Sequence, residues 1–279
     1  MSAAIMRRRR AGPTAEVWPF GPKLPIDRDE LDFQLATFKW LIQQFGPIGD
    51  RPLILPNPDF FPLNVAGVQG ALSELFERVR GYAGMTDWPC RLESGDTDRG
   101  FDLGHGNFIK HGSGSAPCGT FRIEDGLAGR AGIITYNPGT ARDRAGLAAT
   151  FAHEFGHYLM ATAAADPPGG WDLHELHTDL AAVYMGFGVL LANNAKSFEH
   201  FTTDTSAGWR SSVKGYLSEQ ALVTATCIFQ RLAGREPAEA ASWLKPYLKS
   251  VLKQADRALA KAAPDMAAAV EAIDLSDYA

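Results

Sequence analysis

At positions 153 to 157 the chain reads His-Glu-Phe-Gly-His, two imidazoles four residues apart with a carboxylate between them. On a helix, residues i and i+4 lie on one face, so both rings reach a single ion. Glu154 follows His153 by about 100° of rotation. From there its carboxylate meets a metal-bound water without ligating the metal. Zinc lowers the pKa of such a water to about 7, and a nearby carboxylate then takes its proton. A catalytic zinc has three protein ligands and keeps a position for water, so a third donor is needed. Glu175 stands 18 residues beyond His157, with Asp179 four residues further on. Both share a helix face with the small residues Ala182 and Gly186, which let another helix approach closely. Glu175 is read as the third ligand. Asp179 is read as the carboxylate that accepts the free N–H of a ligating imidazole, that of His153, and fixes its tautomer. Two alternatives stay open: His174 ligates if its helix starts late, or Asp179 ligates with Glu175 outside the metal's reach. His177 faces nearly the opposite way and reads as a solvated or capping residue.

These side chains need two helices. The first is expected over about 142–162, where Leu147, Phe151, Phe155, Tyr158 and Leu159 form an apolar stripe opposite His153. The histidines then point away from the core, and Gly146, Thr150 and Ala164 leave room for a cleft. The second is a long helix over about 173–193. Before them, helical spacing marks 29–45, stopped by Gly46-Pro47, and about 67–82. The Pro-Leu-Ile-Leu-Pro run at 52–56 reads as a short or edge strand. Residues 94–118, rich in Gly, Ser and Asp, read as loop. Thr120–Ile123 and Gly132–Tyr136 are β-like, and helices are expected at about 215–233 and 239–262. The fold class is α+β, helix-dominant. Four segments are expected: a flexible Pro-rich stretch at 1–26, a helical region with a Gly-rich loop at 27–118, a core at 119–196, and a helical region at 197–279.

Composition narrows the partners. Of 279 residues, 27 are Lys or Arg and 32 Asp or Glu, a net charge of −5 that argues against nucleic acid. Cys90, Cys118 and Cys227 are an odd, scattered set, so no disulfide framework or cysteine zinc site is expected. Any metal must be held by His, Asp and Glu. Arg7 to Arg10 precede no apolar run, so no secretory signal is read, and Leu180–Ala192 is too short to span a bilayer. A cytoplasmic location is the expectation. Lys249, Lys253, Arg257 and Lys261 form a basic stripe read as a solvated face. Cys118 reads as a buried thiol, and the six tryptophans as packing residues. No phosphate-binding glycine motif opens a helix after a strand, so a nucleotide cofactor is not expected.

His153, Glu154, His157, Glu175 and Asp179, an HExxH followed some twenty residues later by ExxxD, resemble the gluzincin branch of the zincin metallopeptidases. The likeness covers about 120–195. Met160 stands where the metzincin extension has a glycine. The stretches TDLAAVYMGFGVLLAN and GYLSEQAL also resemble a group of uncharacterised bacterial HExxH proteins. The resemblance implies a zincin-like core at 119–196, one Zn2+ ion, a peptide or protein substrate and a metallopeptidase mechanism. It implies that Gly132–Tyr136 is the edge strand lining the cleft. It also implies a downstream His or Tyr that stabilises the oxyanion. The candidates are Tyr216, His200, His105 and His111, with Tyr216 preferred because Gly215-Tyr216 opens a late helix. The alternative function is a zinc-stabilised binding or regulatory protein without proteolysis. A third is a structural HExxH that holds no metal.

Overall fold

A computed structural model describes residues 23–62, 68–95, 101–102, 108–109, 119–126, 129–140, 143–199 and 216–278. Asp27 caps the first helix, α1 (Arg28–Phe45), by accepting from the Glu30 N–H at 2.8 Å, and Gly46 ends it. Then come α2 (Val68–Tyr82), β1 (Cys90–Ser94), β2 (Phe101–Asp102), β3 (Phe108–Ile109), β4 (Gly119–Gly126) and β5 (Gly129–Tyr136). The chain continues through α3 (Arg144–Met160), α4 (His174–Tyr184), α5 (Gly188–Glu199), α6 (Glu219–Leu232), α7 (Pro237–Ala241), α8 (Pro246–Ala262) and α9 (Met266–Glu271). The result is helix-dominant α+β.

The main sheet is mixed, in the order β1-β5-β4. β5 therefore lies in the middle, parallel to β1 and antiparallel to β4, and is not the edge strand expected from the resemblance. β1 supplies the extra neighbour. Its Cys-Arg-Leu-Glu-Ser sequence alternates Cys90 and Leu92 with charged residues, but over a run too short to single it out as a strand. β2 and β3 form a small antiparallel pair inside the stretch expected to be loop.

α3 is the centre of the fold. Every residue from Leu147 to Met160 is buried, not only the apolar stripe. Phe76 of α2 covers that stripe, with ring centroids 5.4 Å from Phe151 and 5.3 Å from Phe155. α4 covers the histidine face. The two helices touch at Gly156, where a Cβ would lie 2.7 Å from the Thr178 carbonyl oxygen. Thr150, expected beside a cleft, is buried against Gly119 at the start of β4.

The long helix expected over 173–193 is broken into α4 and α5. Gly186 sits at φ +100°, a conformation open to glycine and strained for other residues. Its carbonyl accepts the Ile54 N–H at 2.9 Å. The 52–56 run therefore passes the break as an extended, buried segment and joins no sheet, because its flanking prolines remove donors. The last expected helix is also divided, since Pro246 starts α8 afresh at a first-turn position. Residues from Leu31 in α1 to Leu275 share one continuous apolar cluster across the expected segment boundaries. The Lys249, Lys253, Arg257 and Lys261 face of α8 is exposed, as expected for a solvated stripe. Among the described residues no helix is long and apolar enough to cross a membrane. Arg7 to Arg10, Cys118, Trp18 and Trp209 lie outside the described residues.

Candidate metal centre

α3 carries His153 and His157 on the face that meets α4, and α4 begins with His174 and Glu175. Among the described residues His153, His157 and Glu175 form a group whose ligand atoms lie within 4.8 Å of one another and could hold a metal ion. Glu175 Oε2 stands 3.2 Å from His153 Nε2 and 3.5 Å from His157 Nε2. Its place in the first turn of α4 also sets the carboxylate at the positive end of the helix dipole.

The opposite ring nitrogens are engaged. His153 Nδ1 lies 2.9 Å from Asp179 Oδ1, and His157 Nδ1 lies 3.1 Å from the Thr178 hydroxyl. The Asp179 carboxylate accepts, so His153 Nδ1 carries the proton; the Thr178 hydroxyl is able to accept from His157 Nδ1 in the same way, which leaves both Nε2 atoms turned towards the centre. Asp179 lies outside the group, its Oδ1 at His153 Nδ1 and its Oδ2 accepting the Leu217 N–H at 2.7 Å. The open choice of a third donor thus falls geometrically to Glu175. His174 lies outside the group, its Nε2 3.1 Å from Glu175 Oε1.

The donors are two nitrogens and one carboxylate oxygen, a set suited to zinc and other borderline cations. Glu154 completes the arrangement. It is 3% exposed, and its Oε2 is buried with no hydrogen-bond partner among the described residues. Its Oε1 lies at the start of β4, where a Cβ on Gly119 would approach it to 2.9 Å. A buried, unsatisfied carboxylate oxygen is costly unless a water or an ion meets it.

Electrostatics without a metal follow from burial and these contacts. Burial pushes the Glu154 carboxyl up to about 8, with His153 opposing the shift and Glu175 adding to it. Burial lowers His157 to about 4, only partly offset by Glu175, so this ring is neutral and offers a lone pair. Burial opposes charge on His153 as well, but its hydrogen bonds to Asp179 and Glu175 hold its pKa well above the ordinary value. Burial likewise raises Asp179, against the pull of His153. Glu175 stays well below the usual carboxylate range: burial works against it, but His157, His153 and His174 outweigh it.

Tyr216 is half-buried, with its ring centroid 4.9 Å from that of His153 at 65°. It does not open a helix, since α6 starts at Glu219 under a Ser218 cap. The Asp179–Leu217 bond is what brings this segment to the site. His105, His111, His200 and Gly215 lie outside the described residues. His177 faces away from the site as expected but is neither solvated nor capping. It is fully buried against α1, 3.3 Å from the Thr37 hydroxyl and beside Phe33 and Trp40, and burial lowers its pKa to about 3.

Three participants escaped the sequence. Thr178 has a usable signal, because it lies three residues after Glu175 on the same face as Asp179. The Leu217 N–H has none, being a backbone group. Phe121, stacked on His157 at 6.4 Å and 6°, looks in the sequence like any strand phenylalanine.

No protein-family model matches the chain, and no curated protein or solved structure matches it.

Proposed function

We propose that the protein is a zinc-dependent hydrolase of peptide bonds, a metallopeptidase of the gluzincin type acting on a cytoplasmic peptide or protein. His153, His157 and Glu175 are the zinc ligands. One observation carries the proposal: those ligand atoms lie within 4.8 Å of one another, with the unpartnered, buried Oε2 of Glu154 one residue from His153. Zinc, when bound, polarises the scissile carbonyl and acidifies its water. Glu154 takes the water's proton at its carboxylate and passes it to the leaving amine. Asp179 and Thr178 hold the two imidazoles in the ligating tautomer. Tyr216 is the one described residue of the four oxyanion candidates, and its contact with His153 supports that role.

A second reading is supported by burial. His153, Glu154 and His157 are only 2%, 3% and 2% exposed, and closed sites are typical of structural zinc. On that reading the metal stabilises a binding or regulatory protein.

Elemental analysis of the purified chain and a peptide-library assay separate the possibilities. The expected result is one zinc per chain and hydrolysis that Glu154→Gln abolishes while zinc stays bound. Zinc without hydrolysis selects the binding protein, and absence of bound zinc after reconstitution overturns both.

A further inference from the structure

Glu175 has two carboxylate oxygens, and they face different ways. Oε2 looks to His153 and His157, whereas Oε1 meets His174 Nε2 at 3.1 Å. A carboxylate can only accept, so His174 Nε2 carries the proton and donates. To chelate an ion through both oxygens, Glu175 would have to rotate and break this bond.

Adjacent residues on a regular helix diverge by about 100°, yet these two side chains meet. His174 stands where a 3-10 turn, Trp171–Leu173, passes into α4, and its N–H bonds back to the Trp171 carbonyl. The turn is itself fixed. Trp171 Nε1 donates to Asp166 Oδ1 at 2.7 Å, and the Gly169 N–H donates to the Tyr278 carbonyl at 2.7 Å. His174 is buried at this junction, 6.0 Å from the His157 ring.

We propose that His174 is a positioning residue of the metal centre: by holding Glu175 Oε1 it makes Glu175 a one-oxygen ligand and keeps a coordination position open for water. The inference rests on the metal reading given above and assigns a role that the HExxH and ExxxD residues do not supply. Without this donor, Oε1 swings in, the carboxylate chelates and the open position closes.

The test uses the full chain, stripped of metal and reconstituted with Zn2+ or Co2+, as wild type, His174→Ala and His174→Gln. Glutamine places an amide N–H near the position of Nε2. Zinc affinity is measured by competition with a chromophoric chelator, and Co2+ coordination by visible and X-ray absorption. His174→Ala should bind zinc about 10- to 100-fold more weakly. Its Co2+ absorption should weaken, because added coordination lowers d–d intensity, while zinc retains two imidazole nitrogens. His174→Gln should restore the wild-type spectrum. Wild-type affinity and spectrum in His174→Ala would overturn the role. So would loss of a metal-bound nitrogen in both variants, which would make His174 a ligand. If wild type binds neither ion, the metal reading itself fails, an outcome distinct from the other two.

Discussion

Replacing Asp179 by asparagine tests the arrangement around the ligands with almost no change of shape. Both carboxylate oxygens are committed, Oδ1 to His153 Nδ1 at 2.9 Å and Oδ2 to the Leu217 N–H at 2.7 Å. Asparagine has one acceptor and one donor group. If its oxygen faces His153, its NH2 opposes the Leu217 N–H, and a buried donor is left unsatisfied at a cost of about 1–3 kcal/mol. If it flips, the NH2 faces Nδ1 and drives the imidazole proton to Nε2, which removes the lone pair that would ligate. Either way one of two functions is lost. Loss of such an outer partner lowers metal affinity about 10- to 100-fold, or about 1.4–2.8 kcal/mol. Zinc competition and urea unfolding, each on the same preparations, read the two costs separately. A zinc affinity within twofold of wild type together with an unchanged unfolding midpoint would refute the reasoning, because neither acceptor would then matter.

Two further outcomes are expected. In the metal-free protein Glu154 is raised from an unfolded value of 4.5 to about 8, so its protonated form is the one the fold prefers. Its contribution to stability is complete below about 4.5 and is lost as pH rises through about 8. Wild type should therefore lose Tm relative to Glu154→Gln between pH 5 and 8 in chelator, at about 2–4 °C per kcal/mol for a chain of this size; parallel curves would contradict the burial argument. Gly156→Ala should destabilise by about 1–3 kcal/mol, since the new Cβ meets the Thr178 carbonyl. Helix propensity alone would instead give a gain of about 1 kcal/mol, so the sign of the change in urea midpoint decides.

Local spacing made α1, α2 and α3 legible, because caps and apolar periodicity lie within one helix. It also exposed the His153, Glu154 and His157 cluster. Glu175 and Asp179 were readable as a pair on one face, but their meeting with α3 depends on the close helix contact at Gly156. What stayed hidden was tertiary. The break at Gly186 is fixed by a backbone partner 132 residues earlier, the Ile54 N–H. β1 becomes a strand because β5 offers it an edge, and the alternation of Cys90 and Leu92 with charged residues is too short to announce it alone. His177 lies on a polar-looking turn, and only the packing of α1 turns it into a buried residue. The tie of Leu217 to Asp179 uses an amide that every residue possesses.

On the proposed reading, the buried charges link the metal to the base. Without metal, His153 lies between Asp179 and Glu175, and its hydrogen bonds to those two acids hold its pKa above the ordinary value against burial. Buried carboxylates stay charged only beside such partners. A divalent ion bound there would add positive charge beside the buried carboxyls. Burial pushes the carboxyl of Glu154, one residue from His153, up to about 8. Metal binding thus favours ionisation of Glu154, and the carboxylate proposed as general base becomes a base when the ion is present.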